Sequence, residues 1–442
     1  MATAVSLRNV NINQQHRLRQ FMSSVRRFLP LLLLPFLLVN FTGCGDDSAG
    51  DSGAVTEIRF WHFWSEPTQK EHLEERVREF EAANPDISVK LEELSWDQGD
   101  QKLLAAFNAG QAPDVLELGS DWVAKFSSAG VLVDLSSMGG DSTSRFSPEI
   151  VAPGMWGGKA YAWPWIVASR AFFVNKGLLQ EAGVDPSQSY VSWSDVMDAS
   201  EAVNTKFSQG DPARFGFGAN GPDGHRLYKK VLPFFWSKGG AVLDQNGTPV
   251  INSPQNIEAL DTYLQLVRVG KYETQKQLDE MFLQGRVAFW ISGPWLVDRI
   301  AKDNPSLDFA VMEMPGFDGK PGVSFAGGEY LAISSQSEKK EAAWKLVKFL
   351  TSAKQALAFG KELPGGFAPA DLSVADDPAL QEGWRKVFTS QLAHARMTPV
   401  HPKWLEIEEI LEDEISNAIL GQTDATKALD NAQFRVVELL KD

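Results

Sequence analysis

From Thr56 onward the apolar positions switch repeatedly between two periods. Thr56–Phe60 reads as a strand, and Leu73, Val77 and Phe80 then recur at helical spacing within Thr68–Ala83. Asn84-Pro85 ends that helix, and Ile87, Val89 and Leu91 return to the alternation of a strand. Leu103–Phe107 falls on a helix, Pro113–Leu118 on a third strand, and Gly119-Ser120-Asp121 forms a turn suited to capping a following helix. Strands alternating with helices predict an α/β lobe whose ligand loops lie at the strand ends.

A second body of structure follows Trp156–Leu179. Gly157-Gly158 breaks the chain, Lys159–Trp165 is short and aromatic, and Ala171–Val174 starts a fresh apolar run ended by Asn175-Lys176-Gly177. Pro164 argues for an edge position or an exit from a sheet. The two runs, joined by Val167–Arg170, fit either a hairpin or one strand passing from a first lobe into a second. Beyond them the pattern predicts helices over Trp193–Val203, Tyr228–Trp236, Ile257–Val269, Trp295–Ala301 and Glu338–Leu350. It predicts strands over Phe215–Gly218, Gly285–Ile291, Phe309–Met314 and Phe325–Ser334, and a chiefly helical tail from Trp384 to Leu440. Pro294 suits the first turn of the helix it precedes.

The N-terminus has a different character. Arg26-Arg27 precedes an apolar stretch, Phe28–Val39, which two prolines interrupt and which is too short for a comfortable bilayer span. The stretch ends at Thr42-Gly43-Cys44, the small-small-Cys pattern of a bacterial lipoprotein signal, with Phe41 where leucine is commoner. Residues 1–43 are therefore expected to be a signal peptide, with Met22 a candidate start and Cys44 the lipidated residue. Residues 44–54, small and acidic, are expected to form a flexible tether. Arg26-Arg27 is also a weak match to twin-arginine export.

At 442 residues, two bodies of ordinary size are expected. The first 43 residues hold five arginines and no acidic residue. The other 37 of the 42 basic residues thus face all 57 acidic ones, a formal charge of −20 beyond the signal. That balance opposes binding to nucleic acid or an anionic membrane surface. One cysteine excludes an internal disulfide and argues against a thiolate zinc site. The six histidines lack the spacing of a helical metal pair, so no metal and no cofactor are expected. The fourteen tryptophans are the outlier, and most are expected in cores.

No G-x-S-x-G elbow, phosphate-binding G-x-x-x-x-G-K-[ST], H-E-x-x-H or G-x-G-x-x-G is present. A glycosidase needs two facing carboxylates, and no pair among the acidic residues stands out. No catalytic residue is assigned.

Several segments, in order, resemble family 1 extracellular solute-binding proteins, the maltose- and trehalose-type receptors of ABC importers. They are Trp61-His-Phe-Trp64, Pro113-Asp-Val through Gly130-Val-Leu-Val-Asp-Leu135, and the crossover around Trp156–Leu179. Gly285-Arg-Val-Ala-Phe-Trp-Ile-Ser-Gly-Pro-Trp295, Phe325-Ala-Gly-Gly-Glu-Tyr-Leu-Ala-Ile333 and Glu341-Ala-Ala-Trp344 complete the set. The resemblance implies a two-lobed α/β periplasmic-binding-protein-like fold with hinge crossings and the ligand in the cleft between lobes. Lobe 1 would comprise 55–167 and 327–375, and lobe 2 would comprise 168–326 and 376–442. It implies an extracytoplasmic, lipid-anchored, monomeric receptor that passes a mono- or oligosaccharide to the membrane subunits of an ABC importer. The alternatives are a polyol or glycerol-phosphate-type ligand, or a secreted glycosidase. Matched residue by residue, the ligand positions are Trp64, Glu66, Ser120, Asp121, Trp295, Gly328 and Glu329, with Gly327 beside them. Trp163, Trp165 and Arg170 stand at the crossover, and Trp404 near a C-terminal stacking aromatic. Ala168-Ser169 occupies a place where relatives often carry an acidic ligand residue.

Overall fold

The computed structural model describes residues 55–138, 143–363 and 366–441. The signal segment, Cys44 and the tether lie outside them.

Thr56–His62 (β1), Ile87–Glu93 (β2) and Val115–Gly119 (β3) pair in parallel, with β1 in the middle. Parallel neighbours need crossovers, here the helices Pro67–Ala83 and Gly99–Asn108. The first begins on Pro67 and buries Leu73, Val77 and Phe80, the stripe that the sequence spacing predicts. A small hairpin, Met155–Trp156 (β4) with Lys159–Ala160 (β5), turns on Gly157 and Gly158. Both adopt positive φ, which costs glycine no Cβ clash.

Ala162–Ser169 (β6) and Ala171–Asn175 (β7) are separated by Arg170 alone. They belong to different sheets, so the crossover is one strand passing between lobes and not a hairpin. The second sheet adds Phe215–Asn220 (β8), Gly270–Glu273 (β9), Val287–Ser292 (β10) and Phe309–Met312 (β11), in the order β11-β7-β10-β8-β9. Ser324–Ile333 (β12) returns to the first sheet and lies antiparallel between β3 and β6. Ala368–Pro369 (β13) covers the far side of β6, and Ala395–Arg396 (β14) pairs with the start of β12. Pro164 fits because β13 reaches only Ile166 and Val167, and the register slips opposite it, between Glu329 and Tyr330.

The helices Lys340–Leu350 and Ala353–Glu362 pack into the first lobe with Phe80 and Trp344. Trp404–Ile419 and Ala425–Lys441 pack into the second with Tyr228 and Leu260. The chain therefore crosses between lobes at Arg170, again before Ser324, and a third time around the helix Gly383–Leu392. The first two crossings are tied together. Arg170 N donates to Phe325 O at 3.0 Å, and Ser324 Oγ donates to Arg170 O at 2.7 Å. The third is tied to them by Ser169 Oγ donating to Phe388 O at 2.9 Å.

Candidate functional site

The end of β3 and the middle of β12 form the first lobe's side of the junction. Ser120 N donates to Gly328 O at 2.9 Å, which fixes the loop carrying Asp121. Glu329 and, on the neighbouring strand β3, Glu117 act on each other's ionisation. Burial and mutual charge push Glu117 well up, and burial with the charge of Asp121 lifts Glu329 to about 8. At neutral pH this pair therefore contributes less negative charge than two carboxylates would.

The second lobe answers with the helix Tyr228–Ser237 and the turn before it. Tyr228 Oη donates to Asp121 Oδ2 at 2.6 Å, with Lys229 Nζ at 3.6 Å and His225 Nε2 at 3.7 Å from the same oxygen. Burial opposes ionisation of Asp121, but these partners hold its carboxyl below the ordinary value. His225 is kept at φ 62°, a left-handed conformation uncommon outside glycine. Its backbone N donates to Glu412 Oε2 at 2.8 Å, and its Nδ1 lies 2.7 Å from Glu408 Oε1. Burial and Lys229 bring its pKa down to about 3. The neutral Nδ1–H tautomer satisfies both neighbours, donating to Glu408 and accepting from Lys229 Nζ at 3.0 Å. Burial, then the charge of Asp121, pushes Glu408 well up; burial and Glu408 bring Glu412 to about 7.

Asp121, His225 and Glu408 present ligand atoms within 4.8 Å of one another. An ion would have to share that space with the Lys229 ammonium, so the cluster carries its own cation. Beside it opens a cavity of about 520 Å³ between Trp96 and Trp122 of the first lobe and His225, Glu408 and Glu412 of the second. Phe63 stacks on Trp96 with ring centroids 3.9 Å apart and meets Trp122 edge-on at 5.4 Å, which fixes the aromatic wall.

At the other end of the junction Trp295 follows Gly293-Pro294 at the start of a helix. A Cβ on Gly293 would run into the indole, so the turn is open only to glycine. The half-buried Trp295 packs against the cores of both lobes. Its Nε1 donates to Asp279 Oδ2 at 3.0 Å, while Trp290 Nε1 and Ser292 Oγ donate to Asp279 Oδ1 at 2.7 and 2.9 Å. The Arg170 guanidinium lies 4.6 Å from the Trp295 ring centre and 5.5 Å from that of Phe325.

The structure thus places Ser120, Asp121, Gly328 and Glu329 at one end of the lobe junction and Arg170 and Trp295 at the other. It places Trp64 inside lobe 1, edge-on to Phe359 at 5.0 Å and Phe367 at 5.4 Å. Trp163 is also interior, between Phe146 and Trp344. Glu66 is exposed at the start of a helix, with no side-chain capping bond. Trp404 is 1% exposed, behind Tyr228. Sequence reasoning missed Trp96, His225, Tyr228, Lys229, Glu408 and Glu412. Of these, Trp96 carried a signal, since it follows the end of a strand in an α/β lobe.

The chain is 24% identical to the diacetylchitobiose binding protein DasA of Streptomyces coelicolor over 407 residues, covering 87% of this chain and 91% of that one. An ABC transporter solute binding protein from Thermotoga lettingae, solved bound with alpha-D-tagatose, superposes with a TM-score of 0.78 at 24% identity, covering 87% and 100% of the chains. UgpB of Mycobacterium tuberculosis, solved with glycerophosphocholine, gives 0.76 at 25% identity, covering 88% and 99%. Residues 64–357 match the family model for bacterial extracellular solute-binding proteins, and the chain belongs to that family.

Proposed function

We propose that this chain is an extracytoplasmic receptor that captures a mono- or oligosaccharide between its lobes and delivers it to an ABC importer. The observation that carries this reading is the junction itself. Trp295 presents a rigid indole at a helix start of one lobe, while Ser120 and Asp121 just after β3 and Glu329 in the middle of β12 offer oxygens from the other. Aromatic faces take up the C–H surface of a pyranose, and carboxylates accept its hydroxyl protons. The receptor acts as a monomer, and its working step is closure about the three crossings, a shift of population toward the closed form. It breaks no bond of its ligand.

Native mass spectrometry of the chain purified from its own cells tests this. A single bound species with the mass of a saccharide is expected, and incubation with that sugar should release no new reducing ends. A bound amino acid or peptide would remove the carbohydrate reading, and new reducing ends would return the glycosidase.

Anchoring through Cys44 belongs to the same proposal. Cys44→Ala should move the chain from the membrane fraction to the soluble one with ligand affinity unchanged. Equal retention of the variant would show that the cysteine is not the anchor.

A further inference from the structure

Arg170 is the one residue between β6 and β7. It is 8% exposed, yet its side chain forms no ion pair or hydrogen bond among the described residues, and its enclosed Nε has no partner. What it has instead is the indole of Trp295 and the ring of Phe325. These favour a cation but cannot satisfy five N–H donors. Lys230, 1% exposed, is in a similar position. Its Nζ has Gln275 Oε1 at 3.2 Å and the Trp290 ring, and no carboxylate within ion-pair distance among the described residues. Burial pushes the Lys230 amine well below the ordinary lysine range; among the charges, Arg170 adds most to that fall, Asp279 opposes it, and Arg226 and Lys229 add further.

The acidic groups nearby are engaged elsewhere. Asp121 is held by Tyr228 and Lys229. Asp279 accepts from two indoles and a hydroxyl. Glu329 shares its surroundings with Glu117 and is shifted toward its neutral form. A buried ion without a partner is costly, and folding leaves Arg170 as such a group, with the amine of Lys230 near it at one end of the lobe junction. An anion placed there would complete both, and a guanidinium presents the planar fork that grips a carboxylate or phosphate in two-point fashion.

We infer that the ligand is an acidic saccharide, a sugar carrying a carboxylate or phosphate group that docks on Arg170 and Lys230 while its ring lies against Trp295. This rests on the saccharide-receptor reading and narrows it.

The test uses thermal unfolding and calorimetry on the whole purified chain and on Arg170→Met, which keeps the stem and removes the charge. The probes are galactose and glucose, their uronates and 1-phosphates, and glycerol 3-phosphate. The inference expects at least one uronate or sugar phosphate to bind about tenfold or more tightly than its neutral parent. Arg170→Met should abolish that preference, and its unliganded melting temperature should equal or exceed the wild type's. Binding of neutral sugars alone would overturn the inference and leave the saccharide receptor standing. Binding of glycerol 3-phosphate alone, or of no probe, would overturn both. A large fall in the unliganded melting temperature of Arg170→Met, with Arg170→Lys restoring it without restoring acidic-sugar preference, would make Arg170 a structural cation and overturn the inference.

Discussion

Trp295→Ala should weaken binding of the co-purifying saccharide by more than about tenfold, on the order of 2 kcal/mol or more for a central aromatic contact. The indole is a flat, rigid surface at the junction, fixed by the Gly293-Pro294 turn, by its bond to Asp279 and by Arg170 on its face. It also touches both cores, so some loss of unliganded stability accompanies truncation. Trp295→Phe separates the two roles, because it keeps an aromatic face while giving up the Nε1 donor and part of the ring area. Calorimetry should find affinity largely retained in Trp295→Phe and lost in Trp295→Ala. Equal affinity of wild type and Trp295→Ala, with only the melting temperature reduced, would return Trp295 to a packing role.

Asp279→Ala should be the most destabilising single change near the junction. Asp279 is 4% exposed and takes three donors, Trp290 Nε1, Ser292 Oγ and Trp295 Nε1. Its removal strands all three, each at about 1–3 kcal/mol for a buried donor left unmade, and it frees the indole that it orients. A loss of roughly 3 kcal/mol or more is expected in denaturant unfolding, together with weaker ligand binding. Asp279→Asn, which keeps an acceptor in place, should recover part of both. A melting temperature within a degree or two of wild type for Asp279→Ala would show that the three donors find other partners.

How far the sequence foretold this arrangement depends on the range of the interaction concerned. Local signals worked where chain chemistry acts over a few residues. Ser192 and Asp195 form the reciprocal cap that starts the helix at Trp193, and Gly157-Gly158 makes the turn its composition demands. The helix Gln275–Leu283 was not anticipated, because its run of Gln, Lys, Asp and Glu obscures the apolar face that Leu278, Met281 and Phe282 bury. The strand β9, Gly-Lys-Tyr-Glu, gives no alternating signal of its own and forms by adding to the edge of β8.

At the site, the resemblance named Asp121 and Trp295 through their motifs. Nothing in the chain near Asp121 announces Tyr228, which lies 107 positions away and meets it only because the two lobes face each other. Trp64 shows the converse. Its strand-end position reads like that of a ligand residue, but Phe359 and Phe367, far downstream, enclose it. Burial of that kind is a property of the assembled lobe and leaves no trace in local spacing.

Closure of the two lobes around a captured sugar is tested most directly by small-angle scattering on the purified chain, with and without saturating saccharide. The radius of gyration should fall when ligand is added. An unchanged radius, with calorimetry showing the site filled in the same sample, would contradict closure about the crossings at Arg170 and Ser324.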